Sequence, residues 1–319
     1  MILNNIGILT SGGDSPGMNS AIKAIVNFAS IYNIKVFGFL YGYKGLILNN
    51  YKILSNFYVN NIIHLGGTIL GTSRSKLFFT TKGREISYKN LKKNKINALI
   101  VIGGNGTLKG ISKFSNEYKI PIIGIPGTID NDIYGTDLTL GYDTALNSIV
   151  NTVDNLKEIA YSNNRIFIIE VMGKNTGYLA YYSGIALSPL YIVHNNKYNL
   201  NNIQEELKKK KIKSNIIIVA ENKYIGNASK LIYKKIKKNI KNYEFRHTIL
   251  GYIQRGGKPS SIDRLLGYLF GKESIKRLIN YKNNIVLGVK NNKIINIKLK
   301  KLINFNKKFN NNNFYNIYL

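Results

Sequence analysis

Short apolar runs rich in β-branched residues alternate with stretches whose apolar residues recur at three-and-four spacing, and the alternation continues through most of the chain. This is the pattern of a parallel sheet joined by crossover helices, so the predicted fold class is α/β. Buried strands are expected at Ile6–Leu9, Val36–Leu40, Ala98–Ile102, Ile122–Ile125, Ile166–Val171, Ile216–Ala220 and Thr248–Leu250, each short, mostly apolar and free of internal proline. Crossover helices are expected at Ala21–Phe28, Thr107–Phe114, Ala145–Ile159, Ile203–Leu207 and Ile262–Ile279. From Asn304 onward the chain is asparagine-rich and weakly patterned, and no function is expected there beyond a terminal helix or tail.

Composition narrows the classes. With 319 residues and 44% hydrophobic content, the chain can bury a sizeable core in one large domain or two of ordinary size. The lack of cysteine excludes disulfides, thiolate zinc sites and cysteine nucleophiles, and three scattered histidines (His64, His194, His247) argue against a histidine metal cluster. Met1 to Gly7 carries no signal-peptide pattern, and no apolar run approaches the roughly 18 residues that span a bilayer, so a soluble, cytoplasmic protein is expected.

Lysine and arginine number 46 against 16 acidic residues, a net charge of +30 that by itself suggests nucleic acid, anionic membrane or acidic ligands. The lysines come with many asparagines, isoleucines, tyrosines and phenylalanines, all residues with AT-rich codons. The charge therefore reads as base-composition drift, and Lys208–Lys211 and Lys234, Lys235, Lys237 and Lys238 as solvated helix faces. No nucleic-acid or membrane partner is expected.

Candidate chemistry lies at the strand ends. Thr10-Ser11-Gly12-Gly13-Asp14-Ser15-Pro16-Gly17-Met18-Asn19 joins the first strand to a helix, with paired glycines that let backbone approach a phosphate and with Asn19 or Ser20 as the expected helix cap. Gly103-Gly104-Asn105-Gly106-Thr107 is a second strand-to-helix glycine loop, and it is not a Walker A sequence. Pro126-Gly127-Thr128-Ile129-Asp130-Asn131-Asp132 sets two carboxylates and a hydroxyl on one loop, enough for a general base, a group near a metal and an orienting donor. Leu250-Gly251-Tyr252-Ile253-Gln254-Arg255-Gly256-Gly257 is the fourth motif. In a lysine-dominated chain Arg74, Arg165, Arg246 and Arg255 stand out, because a planar guanidinium grips phosphate oxygens bidentately. In open α/β sheets ligands bind beyond the carboxyl ends of strands, so three such loops in one half of the chain point to one phosphate-rich ligand.

The strings TSGGDSPGMN, GGTILGTSR, VIGGNGT, PGTIDND, VMGKNTG and LGYIQRGG, in this order and spacing, resemble the bacterial-type ATP-dependent 6-phosphofructokinases over all but the last residues. The resemblance implies two Rossmann-like three-layer domains with mainly parallel sheets and the active site in the cleft between them. It also implies a larger ATP-binding domain (1–140 plus 254–303) and a smaller domain for fructose 6-phosphate (141–253 plus 304–319). Gly13, Tyr43, Arg74, Ser75, Gly104, Asn105, Gly106 and Thr107 would hold ATP, and Asp130 would be the base, assisted by Thr128, Asp132, Arg74 and Lys174. Thr128, Ile129, Asp130, Arg165, Met172, Gly173, Lys174, Glu221, Arg246, Tyr252 and Arg255 would bind the sugar phosphate. Arg165 and Arg246 would act in a neighbouring subunit's site, which implies a homotetramer; Mg2+ is the implied cofactor. Glycine at 127 and at 106 favours ATP over pyrophosphate as donor, because pyrophosphate-using relatives carry lysine at the position of Gly127.

Three site positions depart from that pattern. Asn105 replaces the family's magnesium aspartate, Lys174 an arginine and Tyr252 a histidine, changes expected to weaken magnesium binding and turnover. At the effector site the matching residues are Lys23, Asn27, Asn56, Asn61, Lys157 and Leu190, and a leucine cannot ligate a metal, so weakened or absent allosteric control is expected. Two other readings remain open here: another kinase with a Gly-Gly-x-Gly-Thr loop, and an eroded relative kept as a binding protein.

Overall fold

The computed structural model describes residues 3–162, 165–173, 176–193, 200–208, 215–222, 227–240, 243–281, 284–305 and 307. In chain order its elements begin with β1 (Asn5–Ser11), α1 (Met18–Ile31), β2 (Lys35–Phe39), α2 (Tyr43–Leu48), β3 (Tyr51–Leu54), α3 (Thr81–Lys93) and β4 (Ala98–Gly103). There follow α4 (Asn105–Tyr118), β5 (Ile122–Pro126), α5 (Tyr142–Ser162), β6 (Arg165–Val171), α6 (Tyr178–Leu187), β7 (Tyr191–Val193) and α7 (Leu200–Lys208). The last are β8 (Ile216–Ala220), α8 (Asn227–Asn239), β9 (Glu244–Ile249), α9 (Ser261–Ile279), β10 (Ile285–Lys290), β11 (Lys293–Lys298) and α10 (Lys301–Asn304).

These elements form two compact units, Met1–Asp143 with Arg255–Leu319, and Thr144–Gln254. The larger unit holds a seven-stranded sheet in the order β11-β10-β5-β4-β1-β2-β3, parallel except where β3 and β11 pair antiparallel at its edges. Its central strands β1, β4 and β5 are buried almost throughout, which is why they read as unbroken apolar runs. One core cluster joins Leu9, Leu99, Val101, Leu108 and Ile111 to Tyr43, Phe78 and Phe114. The smaller unit has a four-stranded parallel sheet, β7-β8-β6-β9, over a core that includes Ile168, Ile217, Val219, Ile232 and Phe245.

Several local expectations differ from the structure. Strand β9 begins at Glu244 rather than near Thr248, because an edge strand tolerates its exposed Glu244, Arg246 and His247. Helix α1 is capped by Gly17 at φ 91° with no side-chain hydrogen bond, not by Asn19 or Ser20. Asn19 lies inside the helix, where its Nδ2 donates to the Leu65 carbonyl (3.1 Å) and its Oδ1 accepts from the Ile69 N–H (2.8 Å), tying down the segment before Arg74. Residues 304–319 do not all follow the smaller domain: Phe305 stacks on Tyr134 and Lys307 donates to the Asp137 carbonyl, both in the larger unit. Residues 306 and 308–319 lie outside the described set, as do 209–211 of the Lys208–Lys211 run. Lys234, Lys235, Lys237 and Lys238 are exposed on α8. Among the described residues no helix is long and apolar enough to cross a membrane.

Candidate active site

In the larger unit the chain leaves β1 toward β2 and β3 on one side and leaves β4 toward β5 and β10 on the other. The carboxyl ends of β1 and β4 thus flank a topological switch point, the place where open α/β sheets hold ligands. The Thr107 hydroxyl, in the first turn of α4, donates to the Ser11 carbonyl at 2.9 Å and fixes one glycine loop against the other. Gly104 caps α4 without a side-chain hydrogen bond, an arrangement that suits a phosphate on the first-turn N–H groups. Half-buried Arg255 lies over the first loop. A Cβ at Gly13 would come within 2.8 Å of its Nη1, so glycine there lets the guanidinium close over the backbone.

The loop after β5 is held at several points. Thr128 N–H donates to the Leu140 carbonyl (3.1 Å), and the Thr139 hydroxyl donates to the Thr128 carbonyl (2.6 Å). The Asp130 N–H donates to Thr128 Oγ1 (3.3 Å), a local turn that orients the half-buried Asp130 side chain. Asn131 sits in the left-handed region (φ 49°), and its Nδ2 donates to the Asp137 carbonyl (2.8 Å). Asn105 Nδ2 donates to Asp132 Oδ2 (2.7 Å) and to the Asp132 carbonyl (3.0 Å), bringing the second glycine loop and the aspartate loop together. Ile129, expected at the sugar, is buried at 2% exposure and anchors the loop. Gly127 has a packing reason of its own, since a Cβ there would meet Met18 Cε at 2.9 Å and Ile102 Cγ2 at 3.0 Å. At Gly106 an added Cβ would meet nothing within 4 Å.

In the smaller unit the ends of β6, β8 and β9 carry the other set. The Met172 N–H donates to Gln254 Oε1 (3.0 Å), Gly173 takes φ 120°, and the Glu221 N–H donates to the Val171 carbonyl (2.7 Å). Tyr252 is exposed on the short 3-10 turn Gly251–Arg255. Arg165 Nε donates to Glu244 Oε2 (2.7 Å), and Arg246 forms an ion pair with the other oxygen of the same carboxylate. The hydrogen bond from Arg165 holds the exposed Glu244 carboxyl below its ordinary pKa. Lys174 lies outside the described residues.

The family profile described as phosphofructokinase matches residues 5–278. The chain belongs to the phosphofructokinase family. It is 44% identical over 289 residues, 89% of this chain and 88% of the relative, to a Bacteroides thetaiotaomicron protein named ATP-dependent 6-phosphofructokinase 2. It is 42% identical to the Cytophaga hutchinsonii protein named ATP-dependent 6-phosphofructokinase, over 90% of this chain and 88% of that one. Among solved structures, the Saccharomyces cerevisiae phosphofructokinase aligns with a TM-score of 0.87 and 31% identity, over 94% of this chain and 45% of the yeast chain. A Marinobacter aquaeolei pyrophosphate-dependent phosphofructokinase shares the fold, with a TM-score of 0.82 at 20% identity over 96% of this chain and 86% of that one.

One residue expected at ATP, Tyr43, packs behind the second glycine loop. Tyr43 is buried at 2% exposure, its ring stacked on Phe78 (centroids 3.7 Å, planes at 6°) and its hydroxyl donating to the Thr107 carbonyl (2.6 Å). Burial raises the phenol pKa well above its ordinary value, so the hydroxyl stays a donor, and Tyr43 shapes the glycine loop from behind. Ser75 Oγ likewise accepts from the Phe78 N–H (3.3 Å), beside exposed Arg74. Sequence reasoning missed Arg84, which is 2% exposed and clamps Glu117 and the carbonyls of Phe78 and Phe79. It also missed Lys307 beside Asp137, because the asparagine-rich tail carried no pattern.

Proposed function

We propose that this chain transfers the γ-phosphoryl group of ATP to the 1-hydroxyl of fructose 6-phosphate, giving fructose 1,6-bisphosphate and ADP. The observation that carries the reading is the loop after β5, where Thr128, Asp130 and Asp132 are fixed against the glycine loop by the Asn105–Asp132 hydrogen bonds. Asp130 accepts the hydroxyl proton as the sugar oxygen bonds to the γ-phosphorus and the bond to the β-phosphate oxygen breaks. A loose transition state needs alignment and charge stabilisation, which Arg255, Arg74 and the first-turn N–H groups of α4 supply. Met172, Gly173, Glu221 and Tyr252 are assigned to the sugar phosphate, and Lys174 to the transferred group.

Among the described residues no three His, Cys, Asp or Glu side chains form a metal cage. The oxygen donors present, Asn105 Oδ1 and the Asp130 and Asp132 carboxylates, fit Mg2+, a hard cation that keeps waters and phosphate oxygens in its shell. Magnesium held there would neutralise phosphate charge. The reading further includes a cytoplasmic homotetramer, a larger ATP-binding unit and a smaller sugar-binding unit.

Turnover of the purified chain with ATP and fructose 6-phosphate, across a magnesium titration and against pyrophosphate as donor, tests the proposal. ATP-dependent product is expected, and no product at saturating substrates overturns the reading. In the same titration Asn105→Asp is expected to lower the half-saturating magnesium concentration about tenfold, because it replaces a neutral ligand with a charged one. Without metal, Asn105→Asp sets two carboxylates at hydrogen-bond distance in place of a donor and acceptor. Its metal-free stability should therefore fall by about 1–3 kcal/mol, measured by denaturation in EDTA.

Weakened or absent allosteric control is the remaining part of the proposal. Lys23 Nζ donates to the Asn60 carbonyl (2.6 Å), Asn56 Nδ2 to Ser30 Oγ (3.1 Å) and Lys157 Nζ to the Leu187 carbonyl (2.6 Å), while Leu190 packs on the smaller unit's core. These side chains are engaged in local structure. Phosphoenolpyruvate is expected to leave the rate at sub-saturating fructose 6-phosphate unchanged, and a sigmoid inhibition curve would refute this.

A further inference from the structure

The aspartate loop continues past Asp132 to Leu138, and two residues that follow α10, Phe305 and Lys307, meet it. Phe305 stacks on Tyr134 (centroids 5.1 Å, planes at 24°), and Lys307 Nζ donates to the Asp137 carbonyl (3.3 Å), the same oxygen that accepts from Asn131 Nδ2 (2.8 Å). Asp137 is also fixed from the β10–β11 hairpin, its N–H donating to the Val289 carbonyl (2.8 Å) and its Oδ2 accepting from the Asn291 N–H (3.1 Å). We infer that Lys307 is a positioning residue for phosphoryl transfer: its ammonium holds the Asp130–Asp137 loop from the C-terminal side and supplies a positive charge to the aspartates beside the glycine loop.

Two features support a role beyond packing. Lys307 is half-buried, and an ammonium loses hydration there unless nearby carboxylates compensate. Burial pushes its pKa down to about 8, while the carboxylates of Asp137 and Asp132 pull it upward. Asp132 is the carboxylate that Asn105 grips, and Lys307 holds the same loop five residues on, at the Asp137 carbonyl.

The inference rests on the kinase reading, so the full-length wild-type chain is assayed first; absence of turnover there counts against that reading alone. With wild-type turnover established, Lys307→Met and Lys307→Arg are compared at pH 7 under saturating ATP and magnesium. A positioning charge near the reacting groups predicts a kcat about tenfold lower for Lys307→Met, a fructose 6-phosphate KM within about twofold of wild type, and recovery of at least about half the rate in Lys307→Arg. Melting temperature is measured alongside. If Lys307→Met melts below the assay temperature, Lys307→Gln replaces it, since glutamine keeps a donor for the Asp137 carbonyl and removes only the charge. A folded neutral variant with kcat within about twofold of wild type, or an arginine variant no better than the neutral one, overturns the inference.

Discussion

Asp130→Asn is expected to lower kcat by about 10²- to 10⁴-fold, the range over which a positioned general base acts, and to leave the KM for fructose 6-phosphate nearly unchanged. The substitution preserves shape and an acceptor oxygen while removing the lone pair that takes the hydroxyl proton. The backbone around it is set independently of the side chain, by the Asp130 N–H on Thr128 Oγ1 and by the Thr128 N–H and carbonyl bonds to Leu140 and Thr139. The loop should therefore keep its form in the variant, and the loss should fall on the chemical step. Steady-state rates with a coupled assay for ADP decide it. A variant that keeps kcat within about tenfold of wild type removes Asp130 from the role of base, since that is below the usual contribution of such a group.

How much of this was legible before the structure depended on burial. Central strands such as β1, β4 and β5 are covered on both faces, so their apolar runs are continuous and their ends fall where glycines do. The edge strand β11 has only Ile297 buried, between exposed Asn296 and Lys298, and α3 buries only Gly83, Arg84, Ser87 and Leu91, so neither carries an apolar pattern of the expected kind. Helix α6 fails for the opposite reason: it is buried along most of its length and has no polar face to reveal a period. The glycine and aspartate loops were readable because close approach and acid–base chemistry restrict residue type. Arginine was less informative than its scarcity suggested. Arg84 and Arg277 pair with Glu117 and Glu273, and Arg264 Nε donates to the Pro259 carbonyl, so arginine marks structural anchors in this chain as well as candidate phosphate contacts. Tyr43 shows the same limit, since the family resemblance that named it did not reveal that its ring is buried and its hydroxyl bonded to the Thr107 carbonyl.

Arg84→Met should carry the largest stability cost of any single change considered, about 3 kcal/mol, measured by denaturant unfolding. The guanidinium is 2% exposed and makes four hydrogen bonds: Nε to Glu117 Oε2 (2.5 Å), Nη2 to Glu117 Oε1 (2.8 Å), and Nη1 to the carbonyls of Phe78 (3.2 Å) and Phe79 (2.7 Å). Methionine fills the volume but leaves a carboxylate and two carbonyls without these donors. Glu117 keeps 30% of its side-chain surface in water, which limits the penalty to the low end of the range for broken buried pairs. The consequence extends to the site through contacts already described. Phe78 supports the Tyr43 ring, Tyr43 holds the Thr107 carbonyl, and Thr107 ties α4 to the Ser11 carbonyl at the end of β1. Loosening Phe78 should therefore raise the KM for ATP at temperatures where the variant is still folded, with a smaller effect on fructose 6-phosphate. Arg84→Lys, which retains the charge but not the planar fork, should fall between wild type and methionine in both measurements. An Arg84→Met protein as stable as wild type, or one destabilised with an unchanged KM for ATP, would separate this anchor from the nucleotide loop and leave Tyr43 as an ordinary core residue.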